Sequence, residues 1–222
     1  MFEPRIYRKV MGAERFLSFE VSYFDTDLWI GINNAQDLPE IKAFAHQKIT
    51  EYREILENYI KKNPSFKISF EPVIMEEDAP VMAKTMAEAA RKTGVGPMAA
   101  VAGAFSEFVG NDIKKQFCID EIIIENGGDI YLDIKDTIII AIFAGKSALS
   151  EKIGLKIPPA YTPLGVCTSA GTVGHSVSLG KADALTVVCK NTLYADAYAT
   201  RLANLIKTDN DIDTVLKMSE EI

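Results

Sequence analysis

Apolar and polar residues alternate over residues 6–10 and 14–23, and Asp27-Leu28-Trp29-Ile30-Gly31-Ile32 follows after an acidic turn. A period of two sends successive side chains to opposite faces, so these runs predict antiparallel strands with one wet face. The period then lengthens. Leu38, Ile41, Ala45, Ile49, Tyr52, Leu56 and Tyr59 recur at helical spacing as far as Lys62. Asp37-Leu38-Pro39-Glu40 opens that run with a capping aspartate, a proline in the first turn and a glutamate three residues on. Asn63-Pro64 ends it, because the residue before proline is pushed out of the helical region. His46 falls within this helix and reads as helix surface or a satisfied core edge.

Residues 65–78 read as irregular or a short strand, and 79–92 as an alanine-rich helix broken by Thr93-Gly94-Val95-Gly96-Pro97. A further helix is predicted over 98–116, its first half carrying Ala99, Ala100, Ala102, Gly103 and Ala104. Small residues there let another helix or a ligand come close to the backbone. Two apolar runs within 120–134 flank Asn126-Gly127-Gly128, which predicts a β-hairpin, since Asn-Gly takes the positive φ angles of a tight turn. Glu125 and Asp129 put carboxylates at the same tip, and a second reading has these polar groups hydrogen-bonding a ligand.

Residues 136–144 form a third apolar run, 150–163 a proline-containing connection, and 164–167 and 182–189 the remaining strands. Asn191 or Thr192 caps a helix through Ile206, and Thr208-Asp209-Asn210-Asp211 caps a last one ending near Glu220. Strands and helices do not alternate strictly. The expected architecture is therefore α+β, with a mainly antiparallel sheet and packed helices in one domain spanning residues 1–222.

Composition narrows the function classes. The 222 residues are 48% hydrophobic, ample for a core, and 24 basic against 31 acidic residues give a net charge of −7. That balance lacks the footprint of a nucleic-acid binder. Cys118, Cys167 and Cys189 are far apart and form no C-x-x-C pair, which argues against a disulfide framework and suits a reducing compartment. No run is long enough to span a bilayer and Met1-Phe2-Glu3-Pro4-Arg5 leads into mixed polar residues, so a cytoplasmic location off the membrane is expected. Gly94-Val-Gly96-Pro-Met-Ala99 follows a helix rather than a strand, and Gly145-Lys146-Ser147 has Ile140 where a phosphate loop needs glycine. Neither is read as a nucleotide motif.

The stretch from Cys167 to Thr200 concentrates the remaining chemistry: small hydroxyls, glycines, a histidine and two aspartates. Such loops let backbone N–H groups approach an anion. His175, between Gly174 and Ser176, is placed either to hydrogen-bond a phosphate or transfer a proton, or to serve as a polar turn residue. Asp196 and Thr200 are four residues apart, on one helix face with Ala199 and Ala203 beside them. Two oxygen donors among alanines suit a hard cation such as Mg²⁺, while the alternative is an aspartate favouring the positive end of its helix.

Several segments together resemble the ApbE family of flavin transferases, and more closely a shorter ApbE-like family of prokaryotic proteins of the UPF0280 type. Val101-Ala102-Gly103-Ala104-Phe105-Ser106-Glu107 resembles the family's Ala-Lys-Gly-Tyr-Ala-Val-Asp helix, and Glu125-Asn126-Gly127-Gly128-Asp129-Ile130 its Gly-Gly-Asp turn. Thr168-Ser169-Ala170-Gly171 is similar to its Thr-Ser-Gly segment, His175 to the histidine that follows, and Ala195-Asp196-Ala197-Tyr198-Ala199-Thr200 to its Ala-Asp-Ala-Leu-Ala-Thr motif.

The resemblance implies a magnesium site made by Asp196 and Thr200 with a backbone carbonyl of the small-residue helix. It implies FAD or another flavin nucleotide held by Glu125, Asn126, Gly127, Gly128, Asp129, Thr168, Ser169, Gly171 and Thr172, with His175 as the catalytic group. The activity implied is transfer of FMN to a serine or threonine of a flavoprotein acceptor. A non-catalytic binder of a small phosphorylated ligand and an oligomeric structural protein are the rival readings on the same scaffold. Departures from the pattern are Ala102 in place of the family's lysine, and Ser176-Val-Ser178-Leu-Gly180-Lys181 in place of its Asp-Pro-x-Thr-Gly stretch.

Overall fold

A computed structural model of the chain describes residues 15–34, 37–171 and 179–219. The first predicted strand, at 6–10, lies outside them. Six strands form one sheet in the order β1 (Leu17–Tyr23), β2 (Thr26–Ile32), β3 (Ile122–Asn126), β4 (Asp129–Asp133), β7 (Leu164–Ser169) and β8 (Leu185–Cys189). Every neighbouring pair is antiparallel. The helices are α1 (Leu38–Lys62), α2 (Ser65–Ile68), α3 (Val81–Thr93), α4 (Val101–Phe117), α5 (Thr192–Leu205) and α6 (Ile212–Ser219). The fold is the α+β arrangement that the pattern predicts.

Local chemistry accounts for the element ends. Asp37 accepts a hydrogen bond from Glu40 N at 3.0 Å and so caps α1, whose buried stripe is Ile41, Ala45, Ile49, Leu56 and Tyr59. His46 is exposed on that helix, as helix surface. Gly94 closes α3 in the left-handed conformation at φ 75°.

The sheet sorts its side chains by the period of two. Ile122, Ile124 and Tyr131 face α1 and α4, packing with Ile41, Ile49, Val109 and Ile113. Ile130, Leu132, Leu164 and Val166 turn to the opposite face. There they meet a separate two-stranded sheet, β5 (Ile138–Ala141) paired with β6 (Gly154–Ile157).

Two expectations change. The stretch 150–163 is not merely a connection: it contains β6, which pairs Ile157 with Ile138 and covers the back of β4 and β7. A four-residue strand beside prolines gives too short an alternation to read. Residues 65–78 hold no strand; α2 occupies their start and buries Phe66 against α1.

Candidate functional site

The site forms where the N-terminus of α4, the β3–β4 turn, β7 and α5 converge. The turn residues are Gly127 and Gly128, at φ 68° and 103°, so the tight turn uses two glycines and leaves Asn126 as the last residue of β3. Glu125 is buried, and its Oε1 accepts from Gly128 N at 2.8 Å, which fixes the turn from below. The turn is docked on its neighbours by three further bonds. Asn126 Nδ2 donates to Ala102 O at 3.2 Å, Ser106 Oγ donates to Asp129 O at 3.0 Å, and Thr168 N donates to Gly128 O at 3.1 Å.

Asp196 enters the cluster from α5. Its exposure is 8%, and its Oδ2 accepts from Gly103 N at 2.9 Å. Gly103 belongs to the first turn of α4, whose N–H groups have no intrahelical acceptor and whose own N-cap, Ala100, contributes no side-chain bond. The contact is possible because Gly103 has no side chain: a Cβ there would lie 2.6 Å from Thr192 O and 3.0 Å from Asp196 Cβ. The predicted close approach along the small-residue helix is therefore that of α5.

Burial pushes the Asp196 carboxyl up to about 7, against the lowering effect of the backbone N–H groups of Gly103 and Ala102. No cation offsets this charge among the described residues. Nearby, burial also raises the Cys167 thiol well above its ordinary value, with the Asp129 and Asp196 charges adding to the effect. Cys167 is thus a protonated, inert wall of the site, donating to Thr192 O at 3.5 Å.

The other sequence-predicted residues divide by position. Gly127 is exposed, Gly128 and Asp129 are half-buried at the turn, and Thr168 and Ser169 are half-buried at the end of β7, where Thr168 and Thr186 share a hydroxyl hydrogen bond at 2.8 Å. Gly171 stands beyond the strand, its N donating to Ala182 O at 2.8 Å and its α-carbon closely apposed to Gly180. Gly180 in turn abuts Ala203 O, so this loop stem rests on the C-terminal half of α5, past Thr200. Thr200 itself is half-buried, one turn after Asp196. Thr172 and His175 lie outside the described residues.

Sequence reasoning gave no role to Ser106 or Glu107. Ser106 Oγ bonds both Ala102 O, at 3.1 Å, and Asp129 O, whereas Glu107 accepts from Thr192 N at 2.6 Å and from Asn191 Nδ2 at 3.2 Å. Their signal was the four-residue spacing of Gly103 and Glu107, which matches that of Thr192 and Asp196, but only the packing shows that the two spacings meet.

Whether a divalent cation fits can be judged from the donors. Asp196 is a desolvated carboxylate with no paired cation among the described residues, and Thr200 adds a hydroxyl one turn later on the same helix face. Such a set of hard oxygens suits Mg²⁺, which keeps part of its water shell. Among the described residues no group of three or more His, Cys, Asp or Glu side chains gathers as a metal site.

The family model described as AbpE bacteria matches residues 8–219. The chain belongs to this ApbE-like family. A UPF0280 protein of Methanococcus maripaludis is 39% identical over 209 residues, covering 93% of this chain and 82% of that protein. A UPF0280 protein of Methanococcus aeolicus is 43% identical over 221 residues, covering 98% and 83%. Among solved structures, the apo form of the Pseudomonas stutzeri flavinyl transferase ApbE superposes with a TM-score of 0.56 at 12% identity, covering 92% of this chain and 88% of that one. At that identity the likeness establishes the fold. No helix among the described residues is long and apolar enough to cross a membrane.

Proposed function

We propose that this ApbE-like protein, acting as one domain in the cytoplasm, uses the Asp196 cluster as a Mg²⁺-assisted site for a flavin nucleotide or related phosphorylated ligand, and that its reaction is FMN transfer from FAD to a protein hydroxyl. The observation that carries this reading is the buried carboxylate of Asp196, with no paired cation among the described residues, at the start of α4 where Asn126 of the hairpin also docks. A desolvated anion costs several kcal/mol unless matched, and a divalent cation held by Asp196 would match it.

When bound, the metal supplies charge neutralisation for the pyrophosphate during phosphoryl transfer. Asp196 and Thr200 would hold it. Gly127, Gly128, Asp129, Asn126 and Glu125 would shape one wall of the ligand site, and Thr168, Ser169 and Gly171 another. In the transfer, the acceptor oxygen bonds to the phosphorus on the FMN side, the P–O bond to AMP breaks, and the hydroxyl proton passes to His175. The fold similarity to a protein described as a flavinyl transferase supports the ligand class.

Ala102 favours a second reading, since the family's lysine is missing at that position: a binder that leaves the nucleotide intact. A thermal-shift titration with FAD, FMN, ADP and ATP, with and without Mg²⁺, on wild type and Asp196→Ala tests the site. At free ligand a hundredfold above Kd, linkage gives roughly 2.7 kcal/mol of stabilisation. A Mg²⁺-dependent shift with FAD that the variant loses supports the site, and no shift with any flavin removes it. Incubation with FAD and a candidate acceptor then separates the readings, because only a transferase leaves FMN on protein and releases AMP.

A further inference from the structure

α4 and α5 cap each other. Asp196, in the second turn of α5, accepts from Gly103 N in the first turn of α4 at 2.9 Å. Glu107, in the second turn of α4, accepts from Thr192 N at the start of α5 at 2.6 Å, and its other oxygen accepts from Asn191 Nδ2 at 3.2 Å. On each helix the two partners are four residues apart and share a face, so the helices are clasped at two points by carboxylates facing opposite ways. Each carboxylate serves N–H groups that have no acceptor in their own helix and lies at the positive end of the partner's dipole.

The Glu107 end of the clasp also orders the α5 cap. Asn191 Oδ1 accepts from Tyr194 N at 3.0 Å while its Nδ2 is held by Glu107, so one carboxylate fixes both the cap side chain and the first N–H of the helix. With the start of α5 pinned and Gly103 in contact with Thr192 O, the rotation of α5 about its axis is set. That rotation decides where the carboxylate one turn later points.

We infer that Glu107 is the positioning residue for Asp196, holding the α5 N-terminus on α4 so that the Asp196 carboxylate is aimed at the site rather than elsewhere on the α5 surface. This deepens the metal reading given above and rests on it for its functional consequence. Glu107 acts through its bonds to Asn191 and Thr192.

The test uses the full chain and reads the clasp in two independent ways. Amide hydrogen exchange at Gly103 reports directly on Asp196, because Asp196 supplies the acceptor; Asp196→Ala sets the unprotected limit. Mn²⁺ affinity, measured by electron paramagnetic resonance, reports the consequence. In Glu107→Gln one of the two acceptor oxygens becomes a donor, so one clasp bond is lost. Gly103 exchange should then accelerate about 10-fold beyond any change at Ile113, further along α4, and Mn²⁺ should bind about 10-fold to 100-fold more weakly, as for other residues that orient metal ligands. Ile49→Val, in the α1 core, should lower the melting temperature without either effect.

Asn191→Ser keeps a capping hydroxyl but drops the bond to Glu107, and serves if the Glu107 variant does not fold. A Glu107→Gln protein with lowered melting temperature but unchanged Gly103 exchange overturns the inference and leaves Glu107 as a cap of α5 only. Wild type that binds no Mn²⁺ removes the metal reading, while the exchange measurement still decides the positioning role.

Discussion

A carboxylate withdrawn from water prefers its protonated form, and Asp196 shows this preference against the pull of two backbone N–H groups. Its ordinary value of 3.8 rises to about 7 in the folded chain. The native state therefore binds more protons than the unfolded state between these values, and by linkage this residue's contribution to stability is present in full below the unfolded value and lost as pH rises through the folded one. For the cation-free protein, the urea midpoint is expected to fall from pH 4 to pH 7 by more in wild type than in Asp196→Asn, which keeps an acceptor for Gly103 without the charge. The difference amounts to roughly 2–4 kcal/mol of unfolding free energy. Parallel pH profiles for the two proteins would mean that the carboxylate is solvated in solution and that its burial creates no demand for a cation.

At the scale of elements, the contact between α4 and α5 sets propensity against packing. Alanine at an exposed helical position is worth about 1 kcal/mol over glycine, so Gly103→Ala would stabilise an isolated α4. In the protein the new methyl group meets Thr192 O at 2.6 Å and Thr192 C at 3.1 Å, both backbone atoms that cannot rotate away. The packing effect should win, and Gly103→Ala is expected to lose roughly 1–3 kcal/mol in urea denaturation. A gain in stability would mean that the helices are not in contact there. Here the sequence was half informative. Small residues announced a close approach, and the period of α1 with its Asp37 cap gave that helix to within a residue. The choice between helix and ligand at Gly103 depended on tertiary packing, as did the link from Glu107 to Thr192, since no local spacing relates residues 85 apart in sequence. β6 was hidden for another reason: its four residues are too few to show a period, and its partner β5 lies in a sheet of only two strands.

Over the whole molecule, one buried carboxylate ties together parts of the chain that no single element connects. Glu121, just before β3, accepts from Arg15 through both oxygens, from Asn33 Nδ2 at 2.7 Å, and from the backbone N–H groups of Lys135 at 2.5 Å and Asp136 at 3.3 Å. Asn33 Oδ1 returns a bond by accepting from Glu121 N at 2.8 Å. The approach to β1, the residue after β2, the start of β3 and the link from β4 to β5 thus meet at one side chain with 4% exposure. An ion pair of this kind is not itself strong support for stability, since both charges lose water to make it. Removing the carboxylate is different, because the part-buried donors of Arg15 and Asn33 and two backbone N–H groups lose their shared acceptor at once. Glu121→Ala is expected to cost roughly 1–3 kcal/mol of unfolding free energy. Glu51→Ala, which breaks a pair with Lys48 on the surface of α1, should cost under about 1 kcal/mol and lose even that at high salt. Urea denaturation of both variants at low and high ionic strength makes the comparison. Equal losses would show that Glu121 behaves as a surface charge and that the sheet edge at β1 is held by its ladder to β2 alone.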